Sequence, residues 1–205
     1  VTCIIGGSKI SSKINVISSL IEKVNNIVIV GAMANNFLIY NNIKVGKSLV
    51  EENTKETVQK INEKARKYKC EILIPNDCMV GTEFKGSSKI RNLDSIQENE
   101  IILDIGPNTI KSIIKKIDES NTVLWNGPAG YFENENFSKG TISIAEAISN
   151  NTIKKTLTSI IGGGDTIAAI KKSKNKLSFT HLSTAGGAFL EYLEGKDLPG
   201  ISVLK

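Results

Sequence analysis

Short apolar runs rich in β-branched residues recur along the chain, at Thr2 to Ile5, Ile27 to Val30, Ile72 to Ile74, Ile101 to Ile105, Thr122 to Trp125, Thr158 to Ile161 and Phe179 to Ser183. Continuous rather than alternating, they read as strands covered on both faces, the habit of parallel sheets. Between them apolar residues return at helical spacing. Ile14, Ile17, Leu20, Ile21 and Val24 mark one helix face, and Val58, Ile61, Ala65 and Tyr68 a second. Ile110, Ile113, Ile114 and Ile117 repeat the pattern, as do Ile144, Ala145 and Ile148. Strand and helix thus alternate throughout, which predicts a single α/β domain over residues 1–205 with helices on both faces of a mostly parallel sheet. The polar, aperiodic segment from Gly81 to Asn99 interrupts the alternation and reads as a small hairpin or a long surface loop.

Nearly every predicted strand runs into glycine, proline or small polar residues: Gly6-Gly7-Ser8-Lys9, Gly31-Ala32, Pro75-Asn76-Asp77, Gly106-Pro107, Asn126-Gly127-Pro128, Gly162 to Thr166, and Ser183 to Gly187. These segments are expected to gather at the carboxyl edge of the sheet, where open parallel sheets receive ligands. Gly162-Gly163-Gly164-Asp165-Thr166 leads a strand into a helix, so free N–H groups and a positive dipole end suit phosphate there. Asp165 reads either as a helix cap or as an oxygen ligand for Mg²⁺ beside phosphates. Lys9 and Lys13, four apart after a Gly-Gly turn, lie on one face if a helix starts near Lys9, and both then reach an anion beyond the strand. The segment Trp125 to Glu133 reads as an apolar wall for a base with a carboxylate for ribose hydroxyls, or as a rigid turn packed by its aromatics. His181 falls within a strand and reads as structural, and Asp104 as a turn-stabilising acid. Asn41 to Ser48 misses the P-loop pattern because Asn41 stands where its first glycine belongs, and no GxGxxG occurs.

Composition narrows the partners. The 205 residues are 40% hydrophobic and 23% charged, enough apolar side chain for a real core. A net charge of +5 admits an anionic partner. However, the basic residues are dispersed, the cluster Lys171, Lys172, Lys174 and Lys176 has no interleaved aromatics, and aromatics make up only 5% of the chain. A solvated face is favoured there over a nucleic-acid patch. Cys3, Cys70 and Cys78 form no CxxC and no finger spacing with His181, which points to a reduced, cytoplasmic compartment. No apolar run approaches the roughly 18 residues that span a bilayer, so no membrane partner is expected. Opening without Met at Val1, directly in a strand, the chain reads as part of something longer.

Five blocks carry a more specific signal: Gly6 through Lys13, Asp104-Ile105-Gly106-Pro107, Trp125 to Glu133, Gly162 to Thr166, and Ser183 through Gly200 with its Leu190-Glu191-Tyr192-Leu193-Glu194-Gly195-Lys196-Asp197-Leu198-Pro199-Gly200 run. In order and spacing they resemble the carboxy-terminal, nucleotide-binding domain of the phosphoglycerate kinase family. The resemblance implies a Rossmann-like three-layer sandwich with a six-stranded sheet, binding MgATP or MgADP. It implies phosphoryl transfer between 1,3-bisphosphoglycerate and ADP, giving 3-phosphoglycerate and ATP. By matching positions, Lys9 and Lys13 would neutralise the phosphates and the transferring phosphoryl group, with Gly163 and Gly186 beside the reaction. Asp165 would hold Mg²⁺, and Gly162, Gly163, Gly164 and Thr166 would cradle phosphate. Glu133 would take the ribose, while Gly31, Asn126 and Pro128 would line the rest of the nucleotide site. Ala32 and Ala185 stand where the family commonly has glycine. The family's amino-terminal domain, which binds the sugar acid and supplies an arginine, has no counterpart here: Arg66 and Arg91 lie outside the matched blocks. A nucleotide-binding half that works as a monomer and needs its missing partner domain for turnover is therefore expected. A stand-alone nucleotide-binding module is the alternative.

Overall fold

The runs predicted to be strands share one sheet, with a single exception. In the computed structural model, which describes residues 1–204, six parallel strands pair in the order β3-β2-β1-β7-β8-β9. They are β1 (Thr2–Ile5), β2 (Asn26–Ile29), β3 (Glu71–Leu73), β7 (Thr122–Asn126), β8 (Thr158–Gly162) and β9 (His181–Ser183). Their side chains alternate between two cores. Cys3 and Ile5 of β1 join Ile27 and Ile29 of β2 on one face, whereas Ile4, Val28, Val123 and Trp125 point into the other. Both faces of these two strands and of β7 are buried, which is why they read as unbroken apolar runs.

The first core is covered by α1 (Ile14–Ile21), α2 (Ala34–Tyr40), α3 (Lys55–Tyr68) and α7 (Gly187–Leu193). The second is covered by α4 (Pro107–Asp118) and α5 (Lys139–Ile153), with α6 (Gly164–Ile170) against α5. A last short helix, α8, spans Pro199–Ser202. Local chemistry sets several boundaries. Gly106 and Pro107 open α4 with Pro at its first turn, and Lys69 ends α3 in a left-handed conformation at φ 56°. α1 ends at Ile21, so Val24 packs on the first core from the following turn rather than from the helix.

The exception is Ile101–Ile105 (β6). It pairs antiparallel with β4 (Asp77–Gly81), which pairs in turn with β5 (Lys89–Asn92), in a separate three-stranded sheet. The aperiodic segment after Gly81 is thus the turn and second strand of a hairpin, followed by a 3-10 turn at Leu93–Ser95. Arg91 and the buried Glu100 close the small sheet with two-pronged hydrogen bonds of 2.8–3.1 Å, and the guanidinium holds the Glu100 carboxyl below its ordinary range. Gly106-Pro107 accordingly does not join the carboxyl edge of the large sheet. It begins α4, whose Asn108 and Thr109 N–H groups donate to the buried Asp77 carboxylate at 2.9 and 2.8 Å. Asn41 to Ser48 has no phosphate-loop geometry: it is the turn beyond α2, and Gly46 bridges to Ile101.

Asp104 does stabilise a turn, and from deep inside. It is 2% exposed and accepts from the Ile105 N–H at 2.9 Å and from the Gly140 N–H, in the first turn of α5, at 2.7 Å. Desolvation pushes its pKa up to about 7 against the pull of those two N–H groups. A carboxyl whose folded pKa is raised contributes stability that is fully present below its unfolded pKa and lost as pH rises through 7. Asp104→Asn is expected to gain stability relative to the parent between pH 4 and pH 8, by on the order of 3 kcal/mol. Urea midpoints of the two proteins across that range measure it, and a difference independent of pH would refute the assignment.

Candidate functional site

The sheet's order reverses between β1 and β7, and the loops leaving these strands and their neighbours converge at that point. The Gly6 N–H donates to the Asn126 carbonyl at 2.8 Å, the Gly31 N–H to the Ala129 carbonyl at 3.1 Å, and the Met33 N–H to the Gly7 carbonyl at 3.0 Å. Trp125 is fully buried and forms no cleft wall; its Nε1–H donates to the Gly127 carbonyl at 2.7 Å. The Gly127 N–H donates to Thr166 Oγ1 at 2.7 Å, tying the turn after β7 to α6.

Against these strand ends lies a largely apolar cleft of about 310 Å³. Gly7, Gly31, Ala32 and Pro128 form the side next to the sheet. Ala34, Asn35 and Leu38 of α2, Leu49, Phe84 of the hairpin and the β6 strand contribute the rest, with Tyr131 and Phe132. Two solvent-exposed carboxylates, Glu133 and Asp165, also line it. Ala129 and Phe132 are buried and Phe84 meets Tyr131 edge-on at 5.1 Å, so the Trp125–Glu133 segment supplies both a packed turn and an apolar wall.

Beside the cleft a second group of predicted residues meets. Lys13 Nζ donates to Asn126 Oδ1 at 2.6 Å, half-buried. Desolvation lowers the lysine's pKa below its ordinary range, with the charges of Asp165 and Glu194 working against it. Asn126 Nδ2 is buried and has no hydrogen-bond partner among the described residues. A Cβ at Gly163 would stand 2.9 Å from that nitrogen and 3.2 Å from Thr166 Oγ1, so glycine there is what admits both polar groups. Gly163 precedes α6, whose first turn carries Asp165 with no side-chain bond to its helix end. The group therefore offers a cation and a spare amide donor close to two carboxylates, arranged for an anion that brings its own cation.

The other expected residues differ in their surroundings. α1 begins at Ile14, so Lys9 and Lys13 do not share a helix face; residues 10–13 form a turn and Lys9 is exposed. Gly162 packs against the Phe189 ring, and Gly164 has nothing within 4 Å of a hypothetical Cβ. Gly186 stands at the start of α7, taking φ +51°, so Ala185 beside it needs no left-handed conformation. His181 lies exposed at the start of β9, an edge strand, where it pairs with Ile160, and its side chain makes no hydrogen bond among the described residues. Missing from the expectation were α2, Leu49 and the small sheet as cleft walls. The spacing of Met33, Ala34, Phe37 and Leu38 was a usable signal for α2.

An open α/β sheet with helices on both faces and a cleft at its reversal point defines the class of doubly wound domains that receive ligands there. Within that class the chain belongs to the phosphoglycerate kinase family, whose family model matches residues 1–196. It is 44% identical over 207 residues to the phosphoglycerate kinase of Xanthobacter autotrophicus and 46% identical over 206 residues to that of Bartonella tribocorum, covering 100% of this chain and 52% of each relative. The structure of phosphoglycerate kinase from Coxiella burnetii superposes with a TM-score of 0.92 at 40% identity, over 99% of this chain and 52% of that one. The crystal structure of the Pyrococcus horikoshii OT3 phosphoglycerate kinase gives 0.82 at 28% identity, over 99% and 51%. The chain thus spans about half the length of these relatives. Among the described residues no helix is long and apolar enough to cross a membrane.

Proposed function

We propose that this chain is the carboxy-terminal half of a phosphoglycerate kinase and binds MgADP or MgATP in the cleft at the sheet's reversal point. The observation that carries this reading is the pairing of an apolar, nucleoside-sized cleft with the Lys13–Asn126–Gly163 cluster beside it. A base would occupy the apolar part between Leu49, Phe84 and Pro128, with Gly31 beneath it. The Glu133 carboxylate would accept from ribose hydroxyls. Lys13 would meet the phosphates, exchanging its bond to Asn126 for one to a phosphate oxygen, while the spare Asn126 amide N–H donates to another. Lys9, exposed just after the Gly6-Gly7 turn, would reach the transferring phosphoryl group. Amides of Gly162, Gly163, Gly164 and Gly186, with the Thr166 segment, would complete the phosphate cradle.

The donor set also fits magnesium in the way nucleotides usually bring it. No group of three or more His, Cys, Asp or Glu side chains could cage a metal among the described residues, whereas Asp165 lines the cleft as an exposed carboxylate. Asp165 would hold Mg²⁺ together with phosphate oxygens and water. Bound there, Mg²⁺ supplies charge neutralisation on the phosphates. The chain's own part in phosphoryl transfer is positioning and charge compensation through Lys9, Lys13 and the amides. The sugar acid, 3-phosphoglycerate or 1,3-bisphosphoglycerate, would bind the amino-terminal half of a monomeric, cytoplasmic enzyme, so the chain alone is expected to bind nucleotide with little turnover. Asp165→Ala tests the arrangement. It is expected to erase the difference in affinity between ADP with and without Mg²⁺, read by calorimetry, and an undiminished Mg²⁺ dependence would remove Asp165 from the site.

A further inference from the structure

We propose that Lys172 is a positioning residue for the ribose end of the site, holding the Glu133 loop in register with the helix that carries Asp165. The inference rests on the nucleotide reading above. Lys172 lies two residues beyond the end of α6, and its Nζ donates to the Phe132 carbonyl at 3.1 Å and more weakly to the Glu133 carbonyl at 3.4 Å. The same ammonium sits 5.2 Å from the centroid of the Phe132 ring. Among the described residues it is the one member of the Lys171, Lys172, Lys174 and Lys176 cluster whose side chain makes a hydrogen bond.

The grip is on the backbone. Lys172 makes no ion pair with Glu133 among the described residues, which leaves that carboxylate free for a ligand's hydroxyls. Phe132 and Glu133 line the cleft whereas Lys172 does not, so it acts through them. Other anchors of this loop come from elsewhere: the Tyr131 N–H donates to the Leu103 carbonyl of β6 at 2.6 Å, Asn134 Nδ2 to the Phe84 carbonyl of the hairpin turn at 2.9 Å, and the Ala129 N–H to Thr141 Oγ1 of α5 at 2.9 Å. The Gly127–Thr166 bond ties the start of the loop to α6, and Lys172 ties its Phe132–Glu133 end to the residues just after α6; a nucleotide would reach both ends, with ribose at Glu133 and phosphates at the first turn of α6. A binding group is useful only when its supporting contacts hold it within a fraction of an ångström.

The test titrates the chain, by calorimetry, with MgADP and with the magnesium complex of 2′,3′-dideoxy-ADP, which lacks both ribose hydroxyls. The parent is expected to prefer MgADP. Lys172→Met is expected to lose about fivefold in MgADP affinity, to bind the dideoxy compound unchanged, and to cost nothing further once Glu133→Gln is in place. Lys172→Arg, which keeps a cation and donors, is expected to retain the preference. Equal weakening of both nucleotides by Lys172→Met, no weakening at all, or loss of the preference in Lys172→Arg would each overturn the proposal while leaving the nucleotide site standing. A parent that binds both nucleotides equally removes Glu133 from the ribose and this proposal with it; one that binds neither overturns the reading of the site itself.

Discussion

Gly127→Ala is expected to destabilise the chain by about 3 kcal/mol or more, lowering its melting temperature by roughly 6 to 12 °C. Two costs combine at this residue. Gly127 holds φ +96°, a conformation that L side chains rarely adopt. A Cβ there would also stand 2.8 Å from Gly6 Cα and press still closer on the Gly6 carbonyl. Both opposing atoms are backbone, in a segment fixed by the Gly6–Asn126 hydrogen bond, so no rotamer change relieves the overlap. Gly164→Ala is the control: it is helical, with nothing within 4 Å, and is expected to be neutral or slightly stabilising. Thermal unfolding of both variants decides the matter, and a Gly127→Ala shift no larger than that of Gly164→Ala would show that the strand-end convergence is not the tight contact described here.

Lys13→Met should separate binding from stability. The lysine is half-buried and desolvation has already weakened its hold on its proton, so removing the cation relieves one cost. Breaking its 2.6 Å bond leaves Asn126 Oδ1 without a donor, which adds another. These oppose each other, and the net change in unfolding free energy is expected to stay within about 1 kcal/mol. Nucleotide binding has no such compensation, because the cation facing the phosphates is gone. Affinity for MgADP is expected to fall by about 100-fold. A variant that folds as stably as its parent and binds MgADP as tightly would take Lys13 out of the phosphate site.

Much of this was readable from pattern alone, for physical reasons that particular residues make plain. Thr2 to Ile5 and Thr122 to Trp125 were legible as strands because both their faces are buried, and such burial writes a continuous apolar run. Ile101 to Ile105 carries the same composition yet belongs elsewhere. Its partner is β4, and the register running from Cys78 opposite Ile105 to Gly81 opposite Ile101 shows the pairing to be antiparallel. A run of apolar residues reports burial, not which sheet does the burying. The same limit applies to the cleft. Gly31, Pro128, Glu133 and Asp165 line it, and glycine, proline and acid at strand ends are local signals. Leu38 of α2, Leu49 in the segment after it and Phe84 in the hairpin turn reach it from outside the strand ends, and an apolar side chain bears no mark of whether it faces a core or a ligand. The shared helix face of Lys9 and Lys13 fails for a related reason: spacing of four puts residues together only if the helix has begun, and here it begins at Ile14.

By itself, this chain is expected to hold a nucleotide at the reversal point of its sheet. Calorimetric titration of the chain with MgADP tests it most directly. Saturable binding of one nucleotide per chain, weakened by Asp165→Ala, is the predicted result; the absence of saturable binding at millimolar MgADP would contradict it.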